Sequence, residues 1–171
     1  MKRFFIFAAL ISFLVFLIYS VLHFLDESRE FTFYYRNPAL NVVTNEVKSI
    51  NIYKRGKEGA IYNVLTSFLL GPADARLRNV ATEKMKVSSV YINKNTIYVN
   101  FNSETILEMH KVNEQLLLEC LLSTLHANFP KYGEAVFSFG GRGWDTLTGR
   151  VTYRRPFPIR PYHGLIPASN H

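Results

Sequence analysis

Lys86–Phe101, KVSSVYINKNTIYVNF, is the stretch whose reading decides the fold. If Ile92 faces Ile97, then Val90 faces Val99 on the same side of a hairpin, and Tyr91 faces Tyr98 on the other. β-Branched and aromatic residues at a spacing of two suit a pair of half-buried strands. Asn93-Lys94-Asn95-Thr96 supplies a four-residue connection of turn-forming residues. Every pairing in this register is satisfied at once, and a slip of one residue would turn each side chain to the wrong face. The stretch therefore reads as a hairpin with one apolar side and one side carrying two tyrosines.

On the C-terminal side, Asn102-Ser103 is placed to cap a short helical turn before Glu104. Asn113 to Phe129 is predicted as a major helix. Leu116, Leu117, Cys120, Leu121, Leu125 and Phe129 form its broad apolar face, and Glu114, Glu119, Ser123 and His126 mark its wetter side. A helix this apolar needs a sheet to lie across. Pro130 and Gly133 end it, and Ala135 to Phe139 reads as a further strand. Arg150 to Tyr153 is expected as a last edge strand. The terminal RRPFPIRPYHGLIP is proline-rich and expected to be extended and weakly ordered.

On the N-terminal side, Ala60 to Leu70 is the clearest helix, with Ile61, Val64, Leu65, Phe68 and Leu69 on one stripe. Gly71 suits the left-handed position after its last turn, and Pro72 prevents continuation. Ala73 to Lys86 is polar and reads as a loop. Phe31, Phe33 and Tyr35 alternate with Thr32 and Tyr34 as a strand, broken at Asn37-Pro38. Two weaker β segments follow, around Val42-Val43 and Ile50-Ile52, and Lys54-Arg55-Gly56-Lys57 reads as a charged loop.

Phe4 to Leu25, FFIFAALISFLVFLIYSVLHFL, carries no charge. As a helix rising about 1.5 Å per residue it would run roughly 33 Å, enough for a hydrocarbon core of about 30 Å. Lys2 and Arg3 precede it and Asp26 and Glu27 follow, which keeps the N-terminus in the cytoplasm and exports the rest. A cleaved signal peptide is the competing reading. The apolar run exceeds the usual signal length, however, and Leu22-His23-Phe24-Leu25-Asp26 offers no small-x-small cleavage site. The expectation is a bitopic protein of a bacterial inner membrane: residues 1–3 cytoplasmic, 4–25 the anchor, 26–156 one exported domain, and 157–171 a proline-rich tail.

The chain is 48% hydrophobic with a net charge of +7, and much of that hydrophobicity belongs to the apolar run. The remainder has the size and character of one ordinary domain, and composition excludes disorder. Acidic residues are spread among the basic ones, and there is no basic helix or RNA-binding aromatic signature, so nucleic acid is not the expected partner. Anionic peptidoglycan or headgroups suit the charge better. With Cys120 as the only cysteine, no intramolecular disulfide can form.

The order of these elements resembles a known family, the GerMN domain of sporulation and spore germination. Phe68-Leu69-Leu70-Gly71-Pro72 is similar to its LL-x-GP signature. Asn95 to Glu104, NTIYVNFNSE, resembles its "vYVdls" strand, and Leu121 to Pro130, LLSTLHANFP, its "lvnTLtqfp" helix end. Val136 to Gly141 stands where the family has a strand closing on glycine, and Leu147 to Pro156 resembles its final "l-G-x-[IV]-x-x-x-x-P" segment. The likeness covers Phe31 to Pro156. Asn100 departs from it, standing where the family often has Asp. The Gly140–Trp144 loop is richer in glycine than usual, and a membrane span replaces the lipid anchor of many relatives. The resemblance implies an exported α+β domain, with helices packed on one face of a mixed sheet. It implies neither enzymatic activity nor a cofactor, and points to envelope assembly. A role in sporulation or germination follows only in a spore former.

The residues themselves supply no catalytic set. Gly140-Gly141-Arg142-Gly143 lacks the Lys-Ser/Thr of a phosphate loop and reads as a strand-exit turn. His110 and His126 lack metal-ligand spacing, Cys120 lies among leucines as a buried thiol, and no serine has a nucleophile-elbow context. Two features carry functional weight. Tyr91 and Tyr98 would stand together on the side of the hairpin away from the core, either as a structural cross-strand pair or as an anchor for a partner. Arg154-Arg155 open the proline-rich end, which is either a loose terminus or an extended peptide for a partner's groove. The function expected is a non-enzymatic envelope protein whose domain binds other exported proteins, self-association included. A cell-wall glycan-binding module is the alternative, and a wall-modifying enzyme would need a paired-carboxylate or metal site.

Overall fold

The computed structural model describes residues 11–17, 28–54 and 56–161. Residues 11–17 are helical, and no helix among the described residues is long and apolar enough to cross a membrane. The predicted anchor at 4–25 lies for the most part outside them.

The domain is α+β, with two sheets rather than the single mixed sheet expected. Strand β1 (Ser28–Asn37) pairs antiparallel with β2 (Val42–Asn51) as a two-stranded ribbon. The two weak segments predicted at 42–52 are therefore one continuous strand. Polar residues between its ends hid this, because β2 is mostly half-exposed and only Val43 is fully buried along it. The turn between the strands closes with Asn37 Oδ1 accepting from the Ala39 and Leu40 amides, and Asn41 sits at φ 52°, a conformation asparagine tolerates. The second sheet has the order β3 (Val87–Asn93), β4 (Thr96–Phe101), β5 (Glu134–Phe139), β6 (Phe157–Pro158), with β4 and β5 parallel and the other pairs antiparallel.

The hairpin register is the predicted one, Ile92 opposite Ile97, Val90 opposite Val99 and Tyr91 opposite Tyr98. The connection is tighter than expected. Asn93 pairs with Thr96, leaving Lys94 (φ 52°) and Asn95 as the turn. The last edge strand is Phe157–Pro158, against Ala135 and Glu134, and not Arg150–Tyr153. Residues 150–153 instead bend so that Tyr153 packs edge-on against Phe139, ring centroids 5.2 Å apart. The first residues of the proline-rich end are thus part of the fold, and Ile159 is buried.

Helix α1 (Gly56–Leu70) buries the predicted stripe of Ile61, Val64, Leu65, Phe68 and Leu69. Its end is clamped by β2. Lys48 Nζ donates to the Gly71 carbonyl (2.7 Å) and to Tyr35 Oη (3.2 Å), while Glu46 accepts from the Ala73 and Asp74 amides. A cation on the last carbonyls of a helix satisfies groups that lack partners and complements the dipole. Burial holds the Lys48 ammonium below its usual pKa, with Glu46 opposing that shift. Gly71 adopts φ +98°, and a Cβ there would meet Asn79 at 2.8 Å, so the Leu-Leu-Gly-Pro signature is a structural turn. Asn79 Nδ2 donates to the Leu69 carbonyl.

A short helix α2 (Glu104–Glu108) and a 3-10 turn at Met109–Lys111 lead into α3 (Glu114–Asn128). Ser103 precedes α2 without a side-chain cap, whereas Asn113 Oδ1 caps α3 through the Leu116 amide. Helix α3 joins the two sheets. It lies against the four-stranded sheet and offers side chains to β1, with the Tyr34 amide donating to Thr124 Oγ1 (3.0 Å) and the Thr32 amide to Asn128 Oδ1 (2.9 Å). These bonds satisfy an otherwise open strand edge. The core comprises Phe33, Tyr35, the α1 stripe, Ile97, Val99, Phe101, Phe137, Phe139 and the leucines of α3, with Leu77, Val80 and Met85 added from the long loop.

Candidate functional site

Side chains alternate across a sheet, so β3, β4 and β5 divide their residues between two faces. Ile97, Val99, Phe101, Ala135, Phe137 and Phe139 point to the helices and are buried. Tyr91, Tyr98 and Val136 fall in one row across the opposite face, because Tyr91 pairs with Tyr98 and Tyr98 with Val136. Tyr91 is 61% exposed and Tyr98 38%. Their rings meet at 5.9 Å, tilted by 44°. The next row is Ser89, Asn100 and Ser138. This open face is the candidate interaction site.

Asn100 explains its own departure from the family pattern. Its Oδ1 accepts from Ser138 Oγ (3.1 Å) and from the Gly141 amide (2.9 Å), which an aspartate oxygen could do equally well. The glycine-rich segment it holds is a turn. Phe139 and Arg142 exchange backbone bonds, and Gly140 and Gly141 have φ +61° and +75°, as a two-residue hairpin turn requires. Trp144 Nε1 donates to the Phe139 carbonyl.

Arg154 and Arg155 do not join the tyrosines. Arg154 is paired with Asp145 at 2.6 Å, both well exposed, and that bond holds the Asp145 carboxyl below its usual range. Arg155 is exposed. Beside them Tyr153 turns inward, and here sequence reasoning misplaced a residue. Glu114, assigned to the wet side of its helix, is 1% exposed. It accepts from Tyr153 Oη (2.7 Å) and from Thr148 Oγ1. Burial and this carboxylate push the Tyr153 phenol up. Ser123 is likewise buried. Periodicity could not find these contacts, since the partners of Glu114 lie on a distant loop.

Cys120 is buried as expected, and desolvation raises its thiol pKa. His110 is exposed and His126 half-buried. Among the described residues no group of three His, Cys, Asp or Glu side chains is placed to hold a metal. A further groove of about 510 Å³ runs beside α1, lined by Tyr62, Thr66, Leu69, Leu70, Met85 and Val87 among others. The Thr66 hydroxyl is buried at its wall without a partner, and Leu70 is 82% exposed. The one signal for it in the sequence is that second leucine, which continues past the buried stripe.

The fold and this face define a small α+β domain with a helix-covered and an open sheet face. The Germane family model, described as sporulation and spore germination, matches residues 32–143, and the chain belongs to that family. The tandem GerMN domains of the sporulation protein GerM from Bacillus subtilis superpose with a TM-score of 0.62 at 16% identity, over 78% of this chain and 46% of that one. The chain thus spans about half the tandem structure. The first GerMN domain of that protein gives 0.53 at 16% identity, over 79% and 96% of the two chains. A putative lipoprotein from Clostridium perfringens gives 0.52 at 20% identity, over 77% and 87%. No curated protein matches the sequence significantly.

Proposed function

We propose that the chain is a non-enzymatic, single-pass envelope protein, anchored by Phe4–Leu25, whose Germane domain assembles with other exported proteins. The observation that carries this is the Tyr91–Tyr98 pair, standing solvent-exposed on a sheet face that no helix among the described residues covers. Aromatic side chains on a flat, preformed surface give large contact area at small entropic cost. The solved relatives support the setting, since one is a sporulation protein and another a putative lipoprotein. In a spore former the assembly would serve sporulation or germination. Arg154 and Arg155 are a second contact on the same reading. Exposed tyrosines also stack on sugars, which favours peptidoglycan as the alternative ligand.

The test is crosslinking pull-down from native membranes, comparing the wild type with Tyr91→Ser/Tyr98→Ser in the full chain. The expected result is loss of the crosslinked partner with membrane retention kept. Retention on insoluble peptidoglycan that depends on the same tyrosines would favour the glycan reading. A single carboxylate substitution that abolishes cellular function in a stably folded protein would overturn both in favour of an enzyme.

A further inference from the structure

The two ends of the domain differ in their distance from the segment that precedes it. Ser28, the first residue of β1, pairs with Asn51 at the end of β2. Phe31 lies against Phe129 just beyond α3, ring centroids 6.5 Å apart. The Gly133 amide donates to the Asn95 carbonyl in the β3–β4 turn (3.0 Å), and the Ile159 amide to the Gly133 carbonyl (2.8 Å). These contacts gather at one pole the start of β1, the entry to α1, the β3–β4 turn, the α3–β5 connection and the exit of β6. Exposed Lys57, Lys94 and Lys131 stand there, with Glu30, Glu58 and Glu134 among them, while the Arg160 charge acts on Glu119 of α3. Lys54 Nζ rests 3.1 Å from the Tyr62 ring centroid and Lys131 Nζ 4.8 Å from that of Tyr132. Tyr53, edge-on to Tyr62, is exposed.

Only Asp26 and Glu27 separate the apolar run ending at Leu25 from Ser28. Three Cα steps span at most about 11 Å whatever their conformation. That reach is comparable to the headgroup layer, roughly 5–8 Å per leaflet, plus a screening length of about 8 Å. A domain so tethered must present one end to the lipid, and this pole is the one beside the tether. We propose that it is a lipid-facing surface, with Lys57, Lys94 and Lys131 resting on anionic headgroups of the exported leaflet. The strands of the second sheet then run away from the bilayer, and the open face stands to the side, free for a neighbouring protein. The inference rests on the anchor reading above.

The full chain is reconstituted in vesicles of phosphatidylcholine alone or with phosphatidylglycerol, and a membrane-impermeant acetylating reagent is followed lysine by lysine by mass spectrometry. Lys57, Lys94 and Lys131 are expected to react about fivefold more slowly on the anionic vesicles, the change expected for a cation at a charged surface. Lys84, Lys86 and Lys111, at the far end of the strands, serve as internal controls and should be unchanged. In Lys94→Glu/Lys131→Glu the slowing at Lys57 should disappear. The same change in rate at both poles between the two vesicles, in a protein that stays with them in high salt, would overturn the surface but leave the anchor intact. A protein that leaves the vesicles in high salt would overturn the anchor and the surface with it.

Discussion

The two faces of the four-stranded sheet are built from the same strands and obey opposite rules. On the covered face Ile97, Val99, Phe101, Phe137 and Phe139 are all nearly inaccessible. On the open face the same strands present Tyr91, Tyr98, Asn100, Val136 and Ser138 with partial or full exposure. The covered face is continuous and apolar because α3 and α1 must bury their stripes against it. The open face is held by local bonds instead, an aromatic pair and an asparagine that pins a turn. Stability therefore belongs to one face, and the other is free of that packing constraint.

The sharpest way to break this contrast is to truncate the covered face. Phe139 is buried against Phe101 and Tyr153, so Phe139→Ala is expected to cost about 3–5 kcal/mol in denaturant unfolding, and Leu121→Ala about 2–5. Losses near 0.5 kcal/mol for both would mean that the faces are wrongly assigned. A smaller effect tests the buried carboxylate that ties the Thr148–Tyr153 loop to α3. Glu114→Leu would leave the Tyr153 and Thr148 hydroxyls unpaired, costing about 1–3 kcal/mol, and Glu114→Gln should cost less because one acceptor oxygen remains. Equal losses for the two would show that packing, not hydrogen bonding, holds that loop.

On the open face the expected costs fall further. Asn100→Ala removes the acceptor for Ser138 and Gly141 and should cost about 1 kcal/mol. Asn100→Asp, which keeps an acceptor oxygen, should remain within about 0.5 kcal/mol of the wild type, a surface-like change. An Asp variant as damaged as the Ala variant would show that amide donation, not acceptance, matters there. Tyr91→Ser/Tyr98→Ser, in turn, should cost only about 0.2–1 kcal/mol, the range for a cross-strand pair. A loss as large as that of Phe139→Ala would mean that the tyrosines belong to the core and that the open face is not open.

The hairpin register and both long helices were legible because each depends on a local period. Two residues apart on a strand, or three and four apart on a helix, apolar side chains must share a face for that face to be buried at all. The Gly71 turn was legible for a similar reason, since its backbone conformation is a property of the residue itself. The same logic placed Tyr91 and Tyr98 together, and Cys120 inside. The family was recognised separately, from its motifs, and the family model matches residues 32–143, so that the similar segment Leu147–Pro156 lies beyond the match.

What lay beyond the sequence were contacts whose two halves are far apart in the chain. Glu114 looks like a solvated first-turn acid until the Thr148–Tyr153 loop folds over it. The polar strand β2 becomes one element only because β1 pairs with it along its whole length. Phe157–Pro158 is an edge strand because the free edge of β5 at Glu134 and Ala135 is there to receive it, while Arg150–Tyr153, more strand-like in composition, is drawn off by the pocket that Tyr153 fills. Local patterns determined which residues must be buried. Only the tertiary structure decided which polar groups join them, because a buried polar group is stable only where a partner from elsewhere in the chain satisfies it.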